Sequence, residues 1–478
     1  MLLAVDQGTT GTTCLVVDDA LRPAGRGYRE IRQSYPQPGW VEHDPDELVE
    51  SVRVAAAAAL ADAGVEAREL DAIGIANQRE TTVLWERRSG RPVAPAIVWQ
   101  DRRTAERCAS LPAELIRSKT GLVPDPYFSA SKLEWLLERT DLPPRDLAFG
   151  TVDSWLVWNL SDGAAHVTDS TNASRTLLLD LATLDWDDEL LALFGVERDL
   201  LPRVCASSEA VAEASLFGRP IPIAGLAGDQ QAALFGQACF DPGQGKATYG
   251  TGSFVLVHSG GDGSPPPAGL LKTAAARLVD DAPAYALEGS VLVAGAALQW
   301  LRDGLGVIDD AASAEGLARS VESSAGVSFV PALTGMGSPW WDPDARGVIS
   351  GLTRGTTRAH LVRAALEAIA LQVSDVVAAV PAGVDLLRAD GGAAVNTFLM
   401  QLQADLIGSP VEVAADVETT GLGAAALAGL AVGTWTDRDQ VRTLLRADGT
   451  RYEPQPETHQ LSALRDSWQL ALRRTLLH

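Results

Sequence analysis

The sequence predicts an α/β protein with two domains. A chain of 478 residues is too long for one hydrophobic core. A predicted strand, a turn rich in glycine and threonine, and a second strand open each half of the chain, at residues 2–17 and 246–257. We interpret this repeat as a structural duplication with its boundary near residues 241–243. An N-terminal domain over residues 1–242 and a C-terminal domain over residues 243–478 are therefore expected.

The composition is that of a globular enzyme, and the charge argues against polyanionic partners. Hydrophobic residues make up 46% and charged residues 21%, and 62 acidic against 39 basic residues give a net charge of −23. Nucleic acids and anionic membranes bind basic surfaces, so neither is an expected partner. A small anion bound by backbone amides and one or two cations is compatible with this charge.

Membrane and secretion signals are not evident. No apolar segment approaches the ~20 residues of a membrane span. The first predicted strand begins at Leu2, so no signal peptide is expected. The four cysteines show neither metal-ligand nor redox spacing, which predicts reduced thiols and a cytoplasmic protein.

An acidic residue and a glutamine follow a predicted buried strand where a predicted helix begins. Residues 221–224 are apolar, glycines at both ends of residues 225–228 predict a turn, and a helical pattern resumes at Ala232. Asp229 and Gln230 thus lie where α/β proteins bind ligands, beyond the carboxyl end of a strand. Either a helix N-cap or a catalytic base fits Asp229 at this point.

The turn of the first hairpin has the composition of a phosphate-binding loop. Gly8 and Gly11 let the backbone approach a ligand, and the threonine hydroxyls and turn amides can surround phosphate oxygens. Asp6, at the end of the first strand, is placed to hold the water of a metal ion. The same residue types are common in ordinary turns, so a turn that binds no phosphate is also an open interpretation. Neither a P-loop nor a dinucleotide-binding G-x-G-x-x-G motif occurs.

Polar and aromatic residues follow other predicted strands. Arg79 and Glu80 form either a surface ion pair or a donor and an acceptor for a polyhydroxyl ligand. Trp99 and Tyr127 can supply the aromatic walls against which the C–H face of such a ligand packs. The Gly-Gly turn that ends at Gly392 suits both nucleotide binding and tight packing.

Seven blocks of the sequence form a larger pattern. They are DQGTT at 6–10, NQRETT at 77–82, IVWQDRR at 97–103, DPYFS at 125–129, GDQQ at 228–231, YGTG at 249–252 and DGG at 390–392. In order and spacing these blocks resemble the glycerol kinases of the FGGY carbohydrate kinase family, within the actin/Hsp70-like superfamily. The resemblance runs from about residue 3 to about residue 440. The blocks around Arg79 and Tyr127 are particular to glycerol kinases.

The resemblance implies both a fold and an activity. The fold is α/β, with two actin/Hsp70-like (ribonuclease H-like) domains and ATP and substrate in the cleft between them. The activity is ATP-dependent phosphorylation of glycerol to sn-glycerol 3-phosphate, with in-line transfer and Asp229 as general base. Mg²⁺ is held through waters on Asp6 and Asp229. Relatives are often dimers or tetramers, which implies a homo-oligomer.

The resemblance also implies which residues contact each substrate. The polyol meets polar groups and two aromatic rings, namely Arg79, Glu80, Tyr127, Asp229 and Gln230, with Trp99 and Phe254 on its carbon face. The nucleotide and its phosphates meet residues from both halves, namely Thr9, Thr10, Gly11, Thr13, Thr251, Gly295, Gln299, Gly392 and Asn396.

Three departures from the family pattern stand out. Thr13 replaces an Arg or Lys that helps many relatives hold nucleotide phosphate, so weaker ATP binding or a substitute cation is expected. Residues 216–220 are short where some bacterial relatives carry a loop for fructose 1,6-bisphosphate, so that feedback is not expected. No histidine lies between His166 and His258, so activation through phosphohistidine is not expected either.

Two alternatives stay open. A kinase of the same fold for another small polyol or a ketose fits, because Arg79, Glu80 and Asp229 suit any vicinal diol. A non-catalytic, actin-like nucleotide-binding scaffold would require a missing base or broken polyol blocks, and both are intact in the sequence.

Overall fold

Each half of the chain forms one large mixed sheet flanked by helices. A computed structural model describes residues 1–215, 217–414, 418–446 and 449–477. Of the segment expected to be a shortened loop, Leu216 lies outside the described residues.

The N-terminal half contains fourteen strands and eight α-helices among the described residues. Its strands are β1 (Leu2–Gln7), β2 (Gly11–Val17), β3 (Pro23–Glu30), β4 (Glu42–His43), β5 (Ala72–Asn77), β6 (Val83–Glu86), β7 (Ala96–Ile97), β8 (Leu147–Gly150), β9 (Val167–Asp169), β10 (Leu179–Asp180), β11 (Asp185–Trp186), β12 (Arg203–Cys205), β13 (Ser208–Ala214) and β14 (Ile221–Gly228). Its helices are α1 (Pro45–Ala63), α2 (Ala105–Ala109), α3 (Ala113–Thr120), α4 (Ser129–Leu137), α5 (Val152–Leu160), α6 (Ser170–Ala173), α7 (Asp188–Leu193) and α8 (Asp229–Gly236).

The C-terminal half adds nine strands and seven α-helices among the described residues. Its strands are β15 (Gln244–Tyr249), β16 (Ser253–Gly260), β17 (Leu271–Ala274), β18 (Tyr285–Val291), β19 (Ser328–Val330), β20 (Val348–Ser350), β21 (Leu386–Asp390), β22 (Val411–Val413) and β23 (Thr450–Tyr452). Its helices are α9 (Gly295–Asp303), α10 (Ser313–Arg319), α11 (Arg358–Ala378), α12 (Thr397–Ile407), α13 (Thr419–Ala431), α14 (Arg438–Leu445) and α15 (His459–Thr475). A 3₁₀-helix, Gly392–Val395, precedes α12.

The two large sheets repeat one topology. The N-terminal sheet has the order β13-β14-β5-β1-β2-β3, and the C-terminal sheet, taken in the matching direction, has the order β23-β22-β21-β15-β16-β18 with β17 added at the edge. In both sheets the first strand of the hairpin lies between its antiparallel partner and a parallel neighbour. The predicted α/β class and the predicted duplication are therefore confirmed.

The two hairpin turns lie at equivalent places in the two sheets. The amide of Gly8 donates to the carbonyl of Gly11 at 2.9 Å, and the amide of Gly250 donates to the carbonyl of Gly252 at 2.9 Å. Since β5 and β14 run parallel to β1, the residues that follow these strands emerge at the edge where the first turn lies. This arrangement gathers the polar residues of the sequence blocks at one edge of the N-terminal sheet.

Helix α13, from the C-terminal half, completes the core of the N-terminal sheet. Its buried alanines pack with Leu2, Ala4 and Leu15. A Cβ on Gly74 would lie 2.0 Å from the carbonyl oxygen of Ala424. The strand glycines thus let the backbone of α13 approach the sheet closely.

The predicted turn at residues 225–228 is wrong. Strand β14 continues through these residues to Gly228. A Cβ on Gly225 would lie 2.7 Å from the amide nitrogen of Ala428 in α13. The glycine is there for helix–strand contact, which a sequence pattern does not distinguish from a turn.

The division at residues 242 and 243 stays a prediction. The main core of the C-terminal half is built from its own sheet and helices α9 to α12 and α15. However, α13 and Val441 of α14 share the buried cluster of β1, β2 and β5.

Among the described residues, none of the helices combines the length and apolar character of a membrane crossing. All four cysteines are buried free thiols.

The Gly74 contact predicts a large effect of one added methyl group. We expect Gly74→Ala to lower the free energy of unfolding by about 1–3 kcal/mol, because the backbone of α13 must move away from β5. Thermal unfolding followed by circular dichroism measures this as a lower Tm.

The matched control is Gly316→Ala in α10. A Cβ there meets no atom within 4 Å, so alanine should be neutral or stabilise the helix by up to about 1 kcal/mol. Equal melting temperatures for the Gly74→Ala variant and the wild type would contradict the close packing of α13.

Candidate active site

Asp229 is the first residue of α8, directly after β14. The N-cap is Gly228, so the carboxylate of Asp229 does not serve as the helix cap. One of its oxygens, Oδ1, accepts from the amide of Gln230 at 2.7 Å and lies 3.5 Å from Nε of Arg79. The side chain is 30% exposed, so it can reach a ligand. Burial raises the pKa of this carboxyl, and Arg79 and Lys246 oppose the increase.

Arg79 lies buried beside Asp229 and binds groups from both halves of the chain. Its Nη1 donates to Glu288 Oε2 at 2.6 Å and to Gln231 Oε1 at 3.3 Å. Its Nη2 donates to the hydroxyl of Tyr127 at 3.4 Å. The guanidinium is therefore held on several sides, with Nε towards Asp229.

Glu80 occupies a backbone conformation that is rare for a side chain of its size. Its φ is +63°, in the left-handed region. The carboxylate is buried and accepts from Arg175 Nε at 2.6 Å, and it lies 3.7 Å from Arg79 Nε. Such backbone strain persists where the surroundings impose it, which is common at functional sites.

Two members of this charged cluster, Arg175 and Glu288, were not identified from the sequence. Arg175 Nη2 donates to Glu288 Oε1 at 2.9 Å, and both side chains are fully buried. Glu288 is the only charged residue of β18, whose residues are all buried. An acid inside a continuous buried strand needs a partner, and that signal could have marked it.

The charges of the cluster set the ionisation of its acids. Burial alone would raise the pKa of Glu288. The positive charges of Arg175 and Arg79 outweigh burial and lower this pKa to about 2. Burial raises the pKa of Glu80, and the same two arginines only partly offset this. Glu288 is thus the carboxylate that most firmly balances the two buried arginines.

The predicted aromatic walls stand beside the first hairpin turn. Trp99 Nε1 donates to Thr9 Oγ1 at 2.9 Å, and the rings of Trp99 and Tyr127 meet edge to face with centroids 5.5 Å apart. The buried ammonium of Lys132 donates to three carbonyls of residues 126–128 at 2.8–2.9 Å. This lysine fixes the loop that carries Tyr127.

The C-terminal sheet contributes a third aromatic residue and a buried lysine. Phe254 lies on β16, paired with Thr248 and Ser290 on its neighbours. Lys246 Nζ donates to Gln230 Oε1 and, at 2.7 Å, to Thr248 Oγ1. Lys246 was not identified from the sequence, and it fixes the amide of Gln230.

Asp6 lies close to two other carboxylates. Burial raises its pKa to about 7, and the charges of Asp229 and Glu418 contribute to the increase. Within the described ranges, no three His, Cys, Asp or Glu side chains form a set that could bind a metal directly. A cation bound through waters would nevertheless relieve the repulsion between Asp6 and Asp229.

The predicted nucleotide residues of the C-terminal half lie on the second hairpin turn and α9, and on the turn after the neighbouring strand β21. The amide of Gly295 donates to the carbonyl of Gly250 at 2.9 Å, and the carbonyl of Thr251 accepts from Ala294 and Ala296. The second hairpin turn is thereby joined to the start of α9. Gln299 is exposed on the same helix.

Packing explains the first glycine of the Gly-Gly turn after β21, and the nucleotide role of the second stays a prediction. Gly391 has a φ of +88°, and a Cβ there would lie 2.7 Å from the carbonyl oxygen of Tyr249, so it serves packing. A Cβ on Gly392 would meet no atom within 4 Å, so space for a ligand remains. Asn396 caps α12, since its side chain accepts from the amide of Leu399 at 3.0 Å.

Thr10 and Thr13 lie on or beside the first hairpin. The carbonyl of Thr10 accepts from the amide of Ile31 at 3.0 Å. Thr13 pairs with Asp6 on one side and with Tyr28 on the other. Arg26, two residues before Tyr28 on β3, pairs with Glu418 at 2.8 Å. Weaker ATP binding or a substitute for the cation missing at position 13 stays a prediction.

Comparison with protein families gives two adjoining matches. Residues 1–236 match the FGGY family of carbohydrate kinases, N-terminal domain, and residues 245–432 match the C-terminal domain of the same family. The chain is 51% identical over 494 residues to the glycerol kinase of Leptothrix cholodnii, with 99% of each covered. It is 49% identical over 490 residues to glycerol kinase 2 of Thermotoga maritima, covering 99% of this chain and 98% of that protein.

Solved structures show the same architecture. A crystal structure of Plasmodium falciparum glycerol kinase with ADP matches with a TM-score of 0.94 at 36% identity, covering 100% of this chain and 98% of that one. A xylulose kinase from Rhodospirillum rubrum matches with a TM-score of 0.87 at 25% identity, and the match covers 99% of this chain and 98% of that one.

The Glu288 cluster predicts a loss of stability in acid. The folded-state pKa of about 2 lies below the ordinary value of 4.5, so the stabilisation is complete above pH 4.5 and is lost as the pH falls towards 2. The whole effect amounts to roughly 3 kcal/mol. We expect urea unfolding from pH 7 to pH 3 to show that the difference in free energy of unfolding between wild type and Glu288→Gln becomes smaller below pH 4.5.

Glu367→Gln is the control for this measurement. Glu367 is also buried and paired with an arginine, Arg363, at 2.8 Å. Burial raises the pKa of Glu367, so the difference in free energy of unfolding between wild type and Glu367→Gln should not become smaller in acid. If the difference in free energy of unfolding between wild type and Glu288→Gln stayed constant with pH, this would contradict the role of Glu288 as a charged partner of the arginines.

Proposed function

Because this chain belongs to the FGGY family of carbohydrate kinases, we propose that it transfers the γ-phosphoryl group of ATP to glycerol and forms sn-glycerol 3-phosphate. The fold is the two-domain actin/Hsp70-like fold of that family. The observation that carries the proposal is the meeting of Arg79 and Asp229, beyond the ends of the parallel strands β5 and β14, with Tyr127 from the loop before α4. Full-length relatives named glycerol kinase support the choice of acceptor.

The acceptor site suits a small polyol. Arg79 and Glu80 offer a donor and an acceptor, and Gln230 offers an amide that Lys246 already orients. Trp99, Tyr127 and Phe254 supply flat apolar surfaces for the C–H face of the ligand. Fixed polar groups beside aromatic walls discriminate well, because an analogue without the matching hydroxyl leaves them unpaired.

Asp229 is the proposed general base. A glycerol hydroxyl has a pKa far above 7, so its proton must leave as the new P–O bond forms and the bond to ADP breaks. The carboxylate of Asp229 accepts that proton and later releases it to solvent. Arg79, 3.5 Å away, opposes the increase in the pKa of Asp229 that burial causes, and so favours the charged form of the carboxylate.

The remaining site residues would hold the nucleotide and Mg²⁺. The turns with Thr9, Thr10, Gly11 and Thr251 offer hydroxyls and backbone amides for phosphate, and Gly392 leaves space beside them. Gly295, Gln299 and Asn396 would line the nucleotide. Asp6 and Asp229 would hold Mg²⁺ through waters, where the ion neutralises phosphate charge. The raised pKa of Asp6 supports such a site, since a cation would relieve the repulsion behind it.

A kinase for another polyol or a ketose is the nearest alternative. The fold does not separate the two, because the xylulose kinase of Rhodospirillum rubrum shares it. Sequence identity favours glycerol, because the chain is 51% identical to the glycerol kinase of Leptothrix cholodnii and 25% identical to that xylulose kinase. A non-catalytic scaffold is disfavoured, since the base and the polyol blocks are intact. A cytoplasmic location and a homo-oligomer remain predictions.

Release of ADP from Mg·ATP tests the proposal directly. The purified protein is assayed without acceptor and with glycerol, erythritol, xylulose or ribulose. We expect a strong, saturable response to glycerol alone. A response to a different acceptor would keep the mechanism and change the substrate, and no response with ATP still bound would favour the scaffold.

Removal of the base should abolish turnover and spare the nucleotide. We expect Asp229→Asn to lower kcat at least about 10²–10⁴-fold, because the amide cannot accept the proton. ATP binding, measured by calorimetry, should persist. Asp375→Asn is the control, because Asp375 is half-buried and accepts from Trp468 at 2.8 Å, and neither residue belongs to the proposed acceptor set. Near-normal turnover of Asp229→Asn would exclude the assigned role.

A further inference from the structure

We propose that Glu288, from the C-terminal sheet, is a positioning residue for the acceptor site. It holds the guanidinium of Arg79, which belongs to the N-terminal half, in the orientation that the acceptor requires. The acceptor site is then complete only when the two halves are closed on each other. This inference rests on the proposed function, since it takes Arg79 to bind the acceptor.

The strand register places Glu288 on the face that carries Phe254. Leu256 of β16 pairs with Lys246 on one side and with Glu288 on the other. Phe254 pairs with Ser290, two residues further along β18. Directly paired residues share one face of a sheet, and so do residues two apart along a strand. Lys246, Glu288 and Phe254 therefore lie on one face of the C-terminal sheet.

Both oxygens of Glu288 are bound by arginines of the N-terminal half. Oε2 accepts from Arg79 Nη1 at 2.6 Å, and Oε1 accepts from Arg175 Nη2 at 2.9 Å and from Arg79 Nη2 at 3.3 Å. The contact with Arg79 is bidentate, which fixes the plane of the guanidinium as well as its position. Rotation of Arg79 is thereby restricted.

This orientation determines what Arg79 offers to a ligand. With both Nη groups turned to Glu288, Nε lies 3.5 Å from Asp229 and 3.7 Å from Glu80. Without Glu288, the nearest acids left to Arg79 are these two. Arg79 would then turn towards Asp229 and Glu80 and occupy the groups that the acceptor needs.

A second contact of the same kind supports coupling to closure. Lys246, on the same face as Glu288, donates to Gln230. Arg79 and Gln230 both belong to the proposed acceptor set, and each is held by a buried charge of the opposite half. Separation of the halves would release both side chains at once.

The test compares three variants with wild type in the glycerol-dependent assay. For Glu288→Gln we expect the KM for glycerol to rise about 10–100-fold, in line with the cost of a misplaced binding group. The KM for ATP should change by less than about twofold, since no nucleotide residue contacts Glu288. Glu367→Gln should leave both KM values unchanged.

The double variant Arg175→Gln/Glu288→Gln separates positioning from charge balance. It removes one charge of each sign from the buried cluster, so its Tm should lie closer to that of wild type than the Tm of Glu288→Gln. We expect its KM for glycerol to remain raised, because Arg79 is still not held. Recovery of the wild-type KM would show that Glu288 only balances Arg175, and would overturn the proposal.

The remaining outcomes are also decisive. A wild-type KM for glycerol in Glu288→Gln would overturn the proposal, and so would a failure of both variants to fold, which would make Glu288 a structural residue. These results differ from failure of the proposed function, in which the wild-type protein itself shows no glycerol-dependent release of ADP.

Discussion

The buried cluster of two arginines and two glutamates constrains the rest of the site. Arg79, Arg175, Glu80 and Glu288 are almost inaccessible to water, and removal of any charge from water is costly unless partners replace it. Each charge of the cluster has a partner of opposite sign within 3 Å. Because three members belong to the N-terminal half and one to the C-terminal half, the cluster also specifies how the two sheets face each other. The predicted aromatic walls and the proposed base are arranged around it.

The duplicated topology explains why such a cluster forms at this place. In each sheet the central strands run parallel, so their polar ends gather at one edge, and the two edges meet across α8. The face of the C-terminal sheet that meets α8 is unusually charged for a sheet interior. Lys246 binds Gln230, Arg388 binds the carbonyl of Gln237, and Asp390 accepts from the amide of Gln237 at 2.7 Å. One short helix, with the proposed base at its start, is thus held along its length by charges of the opposite half.

Local patterns in the sequence predicted the parts of the site that depend on neighbouring residues. Hairpins, strand ends and the helix after Asp229 are short-range features, and the structure confirms them. Arg175 and Glu288 were not identified, because their meaning comes from partners far away in the chain, 209 residues apart for Arg79 and Glu288. The strand at residues 225–228 was mistaken for a turn for the same reason. Gly225 packs against a helix that begins only at Thr419.

In the proposed mechanism the two halves divide the chemistry in a way that requires closure. The N-terminal half carries the proposed base, the proposed acceptor donors and two predicted aromatic walls, while the C-terminal half carries Phe254 and the charges that contact Arg79 and Gln230. With the halves apart, Arg79 would lose Glu288 and turn towards Asp229 and Glu80, and its hydrogen bond to a diol would compete with these carboxylates and with water. With the halves together, the same hydrogen bond forms in a low dielectric from a fixed donor, where it is stronger and costs less ordering. Exclusion of water from the acceptor site and orientation of its donors are therefore consequences of one movement.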